Sequence, residues 1–192
     1  APSCCRAPKA GMQVQAQSAR AVAAQKMVLE LLQSDMPDEA VRNDSELDFW
    51  AQRMHVAAPR FPRRVQPAAD SSHPAIAVRL EACIQCTRCL RACREVQVND
   101  VIGYARRGAH AEIVFDFGDP MGASSCVGCG ECVAACPTGA LLAANYPLSL
   151  ARGGEGRVEG KEKRIDSLCP YCGVGCQITY HMRDNAIVAA EG

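Results

Sequence analysis

The stretches "CIQCTRCLRAC" (Cys83–Cys93) and "CVGCGECVAACP" (Cys126–Pro137) decide how this chain folds. Both follow the spacing C-x2-C-x2-C-x3-C, so the chain contains an internal duplication. Three closely spaced cysteines wrap a loop around one iron–sulfur cube, each thiolate meeting a different iron. The fourth cysteine lies about one helical turn further on, points away, and serves the other cluster. This logic assigns Cys83, Cys86, Cys89 and Cys136 to one 4Fe-4S cluster, and Cys126, Cys129, Cys132 and Cys93 to a second. Gly128 and Gly130 let backbone amides approach the sulfurs, one determinant of reduction potential. Zinc sites normally use two separated cysteine pairs, a pattern these runs do not follow.

Composition agrees. Cysteine is the outlier, with 13 residues, while aromatics make up only 5%. Parts of the chain are therefore expected to be held by something other than apolar burial. An odd cysteine count and an N-terminus without an apolar export segment speak against a secreted disulfide scaffold. The 21 basic and 21 acidic side chains cancel, which argues against a nucleic-acid partner. No apolar run is long enough to imply membrane insertion. A reducing cytoplasm is the expected location.

Working outward, Ser18 caps a helix expected to reach Gln33, with Ala21, Ala24, Val28, Leu31 and Leu32 as its core-facing stripe. Ser45 and Asp48 form a capping box for a second helix, whose stripe is Leu47, Trp50, Ala51 and Met54. Residues 57–74, "AAPRFPRRVQPAADSSHP", read as a Pro-rich linker or surface strap. Arg60, Arg63 and Arg64 in it are expected on a solvated surface, with a docking patch as the minor alternative. The cysteine-dense module occupies residues 75–148, with "AEIVFDFG" (Ala111–Gly118) as a strand inserted between the repeats. A polar linker is expected at residues 149–164. Arg88, Arg91 and Arg94 surround the first run, either offsetting cluster charge or simply solvated.

Near the end stands "CPYCGVGC" (Cys169–Cys176), three cysteines with only sixteen residues after them and no fourth. The following "QITYHMRDNAIVAAEG" reads as a β-hairpin. Cys169, Cys172 and Cys176 are candidate ligands of a third 4Fe-4S cluster whose fourth ligand lies outside the chain. This unfinished run leads to the expectation that the chain is a segment of something longer. His55 and His73 are expected to be packing or surface residues; His110 and His181 lie near cluster regions without a placement on substrate, and no catalytic residue is assigned.

Residues 75–148 resemble a two-cluster bacterial ferredoxin; the second run carries the proline usual after the fourth cysteine, and the first has Arg94 there. Such paired clusters relay single electrons. The fold class expected is thus α+β: a two-cluster ferredoxin-like module flanked by an N-terminal helical segment (18–56) and by the start of a bis-pterin oxidoreductase cluster domain (165–192). The C-x2-C-x3-C run resembles the entry to molybdenum or tungsten bis-pterin enzymes, and its "PYCGVG" filling resembles the formate dehydrogenase branch. "SCCRAPKAGMQV" (residues 3–14) resembles the end of a plant-type 2Fe-2S domain (1–17). That resemblance makes Cys5 the last 2Fe-2S ligand, with Cys4 the alternative and the other ligands outside the chain.

The strings "SHPAIAVRLEACIQCTRCLRACREVQVNDVIG", "GAHAEIVFDFGDPMG" and "SLCPYCGVGCQITYH" together resemble the catalytic subunit of NAD-dependent formate dehydrogenase. The resemblance implies a molybdenum or tungsten bis-pterin guanine dinucleotide in a C-terminal part. It also implies a small iron–sulfur subunit and a flavin subunit carrying FMN and NAD as partners. Relatives often carry a histidine-and-three-cysteine cluster ahead of the ferredoxin module; residues 6–82 hold no cysteine, and that cluster is expected to be absent. NAD-linked hydrogenase or NADH dehydrogenase subunits and a stand-alone ferredoxin-like carrier are the alternatives.

Overall fold

The computed structural model describes residues 5–38, 41–42, 45–144, 163–170, 173–183 and 185–191. Cys4, Cys172, and residues 149–162 of the expected linker lie outside them.

The architecture is mixed helix and small sheets. Helix α1 is Ala19–Ser34, and the Ser18 side chain accepts from the Ala21 amide at its start. Helix α2 is Glu46–Arg53; the Ser45 hydroxyl accepts from the Asp48 amide, satisfying one of the first-turn donors a helix leaves open. In α2, Leu47 and Ala51 are buried as expected, but Trp50 is 47% exposed. Of the stripe expected on α1, Ala24, Val28 and Leu31 are exposed and Ala21 and Leu32 only half-buried; the fully buried residues are Glu30 and Ser34.

The strap explains the reversal. Arg60 grips Glu30 through Nε at 2.6 Å and Nη2 at 2.8 Å. Arg64 faces Asp35 at 3.4 Å and donates to the carbonyls of Ala109 and Ala111. The polar side of α1 therefore turns toward the strap, because burying a carboxylate is tolerable only with a cation against it. Arg60 and Arg63 lie on the solvated surface as expected while pairing with Glu30 and the exposed Asp38; Arg64 alone is largely covered.

Strand β1 (Ile76–Val78) pairs antiparallel with β4 (Leu141–Ala143), joining the two ends of the cysteine-dense module. Between them come α3 (Arg88–Arg91), a π turn (Ala92–Val96), β2 (Ile102–Ala105), β3 (Glu112–Phe115) and α4 (Glu131–Ala135). β2 and β3 form an antiparallel hairpin. β3 falls in the strand expected from the sequence; β2, weakened by Gly103, carries no comparable sequence signal. The core gathers Ile76, Val78, Met121 and Leu141, each no more than 2% exposed, with Cys93, Cys132 and Cys136 among them. Val41, from the helical segment, is buried in the same core.

A separate three-stranded sheet has order β5 (Lys163–Leu168), β6 (Gln177–Arg183), β7 (Ala186–Glu191). The β6–β7 hairpin is the one the sequence predicts. β5 is an addition to that expectation; it begins at Lys163, inside the stretch assigned to the polar linker. Among the described residues no helix is long and apolar enough to cross a membrane.

Candidate metal centre

The two cysteine runs fold alike. In the first, Gln85 and Thr87 adopt φ of 56° and 59°; in the second, Gly128 and Gly130 adopt 67° and 80°. These are equivalent positions of the repeat. The left-handed turns direct amides at the thiols: Gln85 N–H points to Cys83 Sγ and Gly128 N–H to Cys126 Sγ, both at 3.4 Å. Glycine tolerates this region without penalty; Gln85 and Thr87 occupy it at a cost of roughly 1–2 kcal/mol each. Gln85 is held there by its own side chain, which donates to the Ala111 carbonyl at 2.6 Å and accepts from the Tyr104 hydroxyl at 2.9 Å.

The runs diverge at their ends. α4 stops at Ala135 and gives way to extended Cys136, where Pro137 removes a backbone donor. In the first run Arg94 stands in place of that proline, and the helix continues through Cys93 as a π turn.

Cys136, from the second run, stands with the cysteines of the first. Cys83, Cys86, Cys89 and Cys136 border one small pocket, with Leu80, Ile113 and Leu141 among its walls. Burial pushes the Cys89 thiol up to about 12, and next in order act the neighbouring Cys83, Cys136 and Cys86. Burial likewise pushes Cys132 up to about 12, followed by Cys126, Cys129 and Cys93. Cys89 and Cys132 thus each have the three expected partner cysteines nearby. Cys83 is also raised, by burial first. Such thiols would surrender protons on taking up metal. Among the described residues no three His, Cys, Asp or Glu side chains converge on a single ion. The first set instead lines a shared pocket, four thiols spread around one space, the donor set that an iron–sulfur cluster requires.

The helical segment is clamped to this centre. Arg42 Nη1 donates to the Cys136 carbonyl at 3.0 Å, Glu46 N–H to the Pro137 carbonyl at 2.8 Å, and Arg88 donates two hydrogen bonds to the Glu46 carboxylate at 2.6 and 3.0 Å. Of the three arginines singled out around the first run, Arg88 alone is tied in this way; Arg91 pairs with exposed Glu95, and Arg94 is exposed. Sequence reasoning missed Arg42, Arg64, Asn99, Asp116 and Thr138 as neighbours of the cysteines. Asn99 Nδ2 stands 4.0 Å from Cys129 Sγ, and Thr138 Oγ1 donates to the Ala82 carbonyl beside Cys136. The duplication, aligned on itself, is the one sequence signal able to reveal Gln85 and Thr87.

In the three-stranded sheet, Cys169 and Cys176 close the β5–β6 loop, the Cys169 amide donating to the Cys176 carbonyl at 2.8 Å. Gly173 and Gly175 take φ of 74° and 78° within it. Cys5 is exposed. His73 Nδ1 accepts from the Ala75 and Ile76 amides, a packing role at the head of β1.

The fold and these cysteine loops define an iron–sulfur electron-transfer segment. Residues 73–142 match the family model described as NADH-quinone oxidoreductase subunit 3, ferredoxin-like domain. Residues 162–192 match that of the molybdopterin oxidoreductase Fe4S4 domain. The chain carries iron–sulfur domains of the NADH-quinone oxidoreductase and molybdenum oxidoreductase family.

Three relatives illustrate its range. An NADH-quinone oxidoreductase subunit of Rhizobium meliloti is 35% identical over 130 residues, 65% of this chain and 14% of its own. The NADP-reducing hydrogenase subunit HndD of Solidesulfovibrio fructosivorans is 33% identical over 151 residues, 76% of this chain and 26% of its own. A Staphylococcus haemolyticus protein named "Putative formate dehydrogenase" is 29% identical over 142 residues, 58% of this chain and 14% of its own. The chain thus spans a small part of each of these relatives. The crystal structure of an NAD+-reducing [NiFe]-hydrogenase in the H2-reduced state shares the fold, with TM-score 0.64, 22% identity, and coverage of 71% of this chain and 60% of that one.

Proposed function

We propose that this chain is the electron-relay segment of a cytoplasmic, NAD-linked formate dehydrogenase catalytic subunit. The observation that carries the proposal is the order of its parts: a duplicated four-cysteine module followed by a C-x2-C-x3-C knuckle matching the molybdopterin oxidoreductase Fe4S4 domain. A molybdenum or tungsten bis-pterin centre in a C-terminal part of the subunit would supply the chemistry by which formate gives up two electrons and a proton to become carbon dioxide. Cys169, Cys172 and Cys176 would hold the first cluster on the way out. Cys83, Cys86, Cys89 and Cys136, and Cys126, Cys129, Cys132 and Cys93, would hold the next two. Cys5 would contribute to a 2Fe-2S site leading to a partner subunit with FMN and NAD. A bound cluster supplies reversible one-electron chemistry. The chain's own part is to hold the sulfurs, aim the Gln85 and Gly128 amides at them, and keep water from the Leu80 and Leu141 side.

Anaerobic reconstitution with iron and sulfide tests the ligand sets: about eight irons in the ferredoxin module, with the broad visible absorption of iron–sulfur, is expected. Uptake of colourless zinc would overturn it. Formate-dependent bleaching in the whole enzyme tests the substrate. The relatives named as hydrogenase and NADH-quinone oxidoreductase subunits favour a second reading, in which hydrogen or NADH bleaches the clusters and formate does not.

A further inference from the structure

We infer that His73, carried on the strap, is a positioning residue of the second cluster site: its ring takes the place of the side chain that Gly128 lacks and holds the loop whose amide is aimed at Cys126. The inference rests on the proposed ligand sets and deepens them.

The two cysteine loops meet the same demand by different means. Gln85 and Gly128 are equivalent residues, both in the left-handed region, and each points its amide at the thiol two residues back. The first loop is held by the Gln85 side chain, which reaches the Ala111 carbonyl and the Tyr104 hydroxyl. Gly128 has no side chain with which to hold itself, and glycine leaves the backbone the most freedom to abandon this conformation. A Cβ built at Gly128 would meet His73 Cε1 at 3.4 Å and Nε2 at 3.8 Å. The ring therefore lies in contact range of the space that a side chain at this position would enter.

The ring is itself fixed. His73 Nδ1 accepts from the Ala75 and Ile76 amides at 3.1 and 3.2 Å, which ties it to the head of β1 while its Cε1–Nε2 edge stands beside Gly128. The strap that carries it is anchored next to the second run. Asp70 exchanges backbone hydrogen bonds with Val78 at 2.9 and 2.8 Å. Its carboxylate accepts from the Met121 amide at 2.7 Å and the Ser72 amide at 2.8 Å. Ser72 Oγ in turn accepts from the Gly122 amide. A ring so anchored restricts Gly128 to the turn that points its N–H at Cys126 Sγ. Hydrogen bonds to the sulfurs favour the more negative, reduced cluster. Loosening this one should lower the potential of the second cluster and leave the first where it is.

The test separates the two features of His73, the acceptor that caps β1 and the ring that meets Gly128. His73→Asn keeps an acceptor for the following amides and removes the ring; His73→Phe keeps a ring and removes the acceptor. The full chain, reconstituted anaerobically with iron and sulfide, is titrated potentiometrically and followed by electron paramagnetic resonance. His73→Asn should lower one module midpoint by about a tenfold change in oxidised-to-reduced ratio, ~59 mV for a one-electron couple. His73→Phe should leave that midpoint in place, and Gln85→Ala should lower the other. Should His73→Asn load only one cluster, the midpoint that survives must be the one that Gln85→Ala moves. Should His73→Phe fail to fold, the presence or absence of a potential shift in His73→Asn at an unchanged urea midpoint decides the matter. Unmoved potentials in His73→Asn, an equal shift in His73→Phe, or a shift of the midpoint that Gln85→Ala moves overturns the inference while leaving the ligand sets standing. A chain that takes up no iron and sulfide overturns the ligand sets, and the inference with them.

Discussion

The Tyr104 hydroxyl donates to the Gln85 Oε1 at 2.9 Å, linking the β2–β3 hairpin to the loop between the first two cysteines. Gln85 sits at positive φ, so its side-chain bonds offset local backbone strain. Gln85→Ala would lose the bonds to both Tyr104 and Ala111 and keep the strain. It should lower stability by about 1–3 kcal/mol, read as a urea midpoint shift with unchanged slope.

Thr87 makes the converse case. It shares the left-handed conformation but has no capping hydrogen bond at the start of α3. Thr87→Gly, copying Gly130 of the second run, should hold or raise stability by up to about 1 kcal/mol. A loss of more than that in urea unfolding would mean that the Thr87 side chain has an unrecognised partner.

The cross-over makes a sharp demand on iron counting. Cys93 lies in the first run but is assigned to the second set. Cys93→Ala should deplete the cluster of Cys126, Cys129 and Cys132 and spare the other; Cys136→Ala should do the reverse. Each variant is expected to lose about four irons, and resonance spectra of the remaining cluster should identify which survived. Loss of the cluster in the mutated residue's own run would refute the pairing.

Gly122 lies beneath the strap. A Cβ built there would stand 2.4 Å from the Ser72 carbonyl oxygen, and the Gly122 amide donates to Ser72 Oγ at 2.8 Å. Gly122→Ala must push the strap away, at a cost of about 1–3 kcal/mol. Faster proteolysis between residues 57 and 74 would report the displacement.

Acid should loosen the helical segment and the strap. Hydrogen bonding to Arg60 holds Glu30 below the usual carboxylate range, and Arg88 does the same for Glu46. Burial raises Asp70, but bonds from Ser72 and Met121 outweigh it and leave it depressed. A carboxylate depressed in the folded state adds stability above its unfolded value and loses it as pH falls through the folded one. Thermal midpoints should hold steady from neutral pH down to about 5 and fall below about 4. Asp70→Asn should lower the neutral-pH midpoint and flatten that fall.

The helix caps, the cysteine runs and the β6–β7 hairpin are legible in the sequence because each depends on neighbours a few residues apart. Ser18 and Ser45 cap from within one turn, and the loop of Cys83, Cys86 and Cys89 is closed by its own spacing. The buried face of α1 is not legible, for a complementary reason. Its apolar residues form a plausible stripe, but Arg60 and Arg64, some thirty residues away in sequence, claim the other side.

The sequence by itself determined that two four-cysteine runs share a fold, that their fourth cysteines can cross, and that a third run follows them. Local spacing and backbone sterics suffice for that. Only the tertiary structure decided what surrounds each site. Arg42 meets Cys136 across 94 positions of chain, Val41 enters the module's core, and Asp116 reaches Ser125 by a turn after β3. Charge acts through space rather than along the chain. The environment that makes two near-identical cysteine runs unequal therefore exists only once the strap, the helical segment and the hairpin have packed around them.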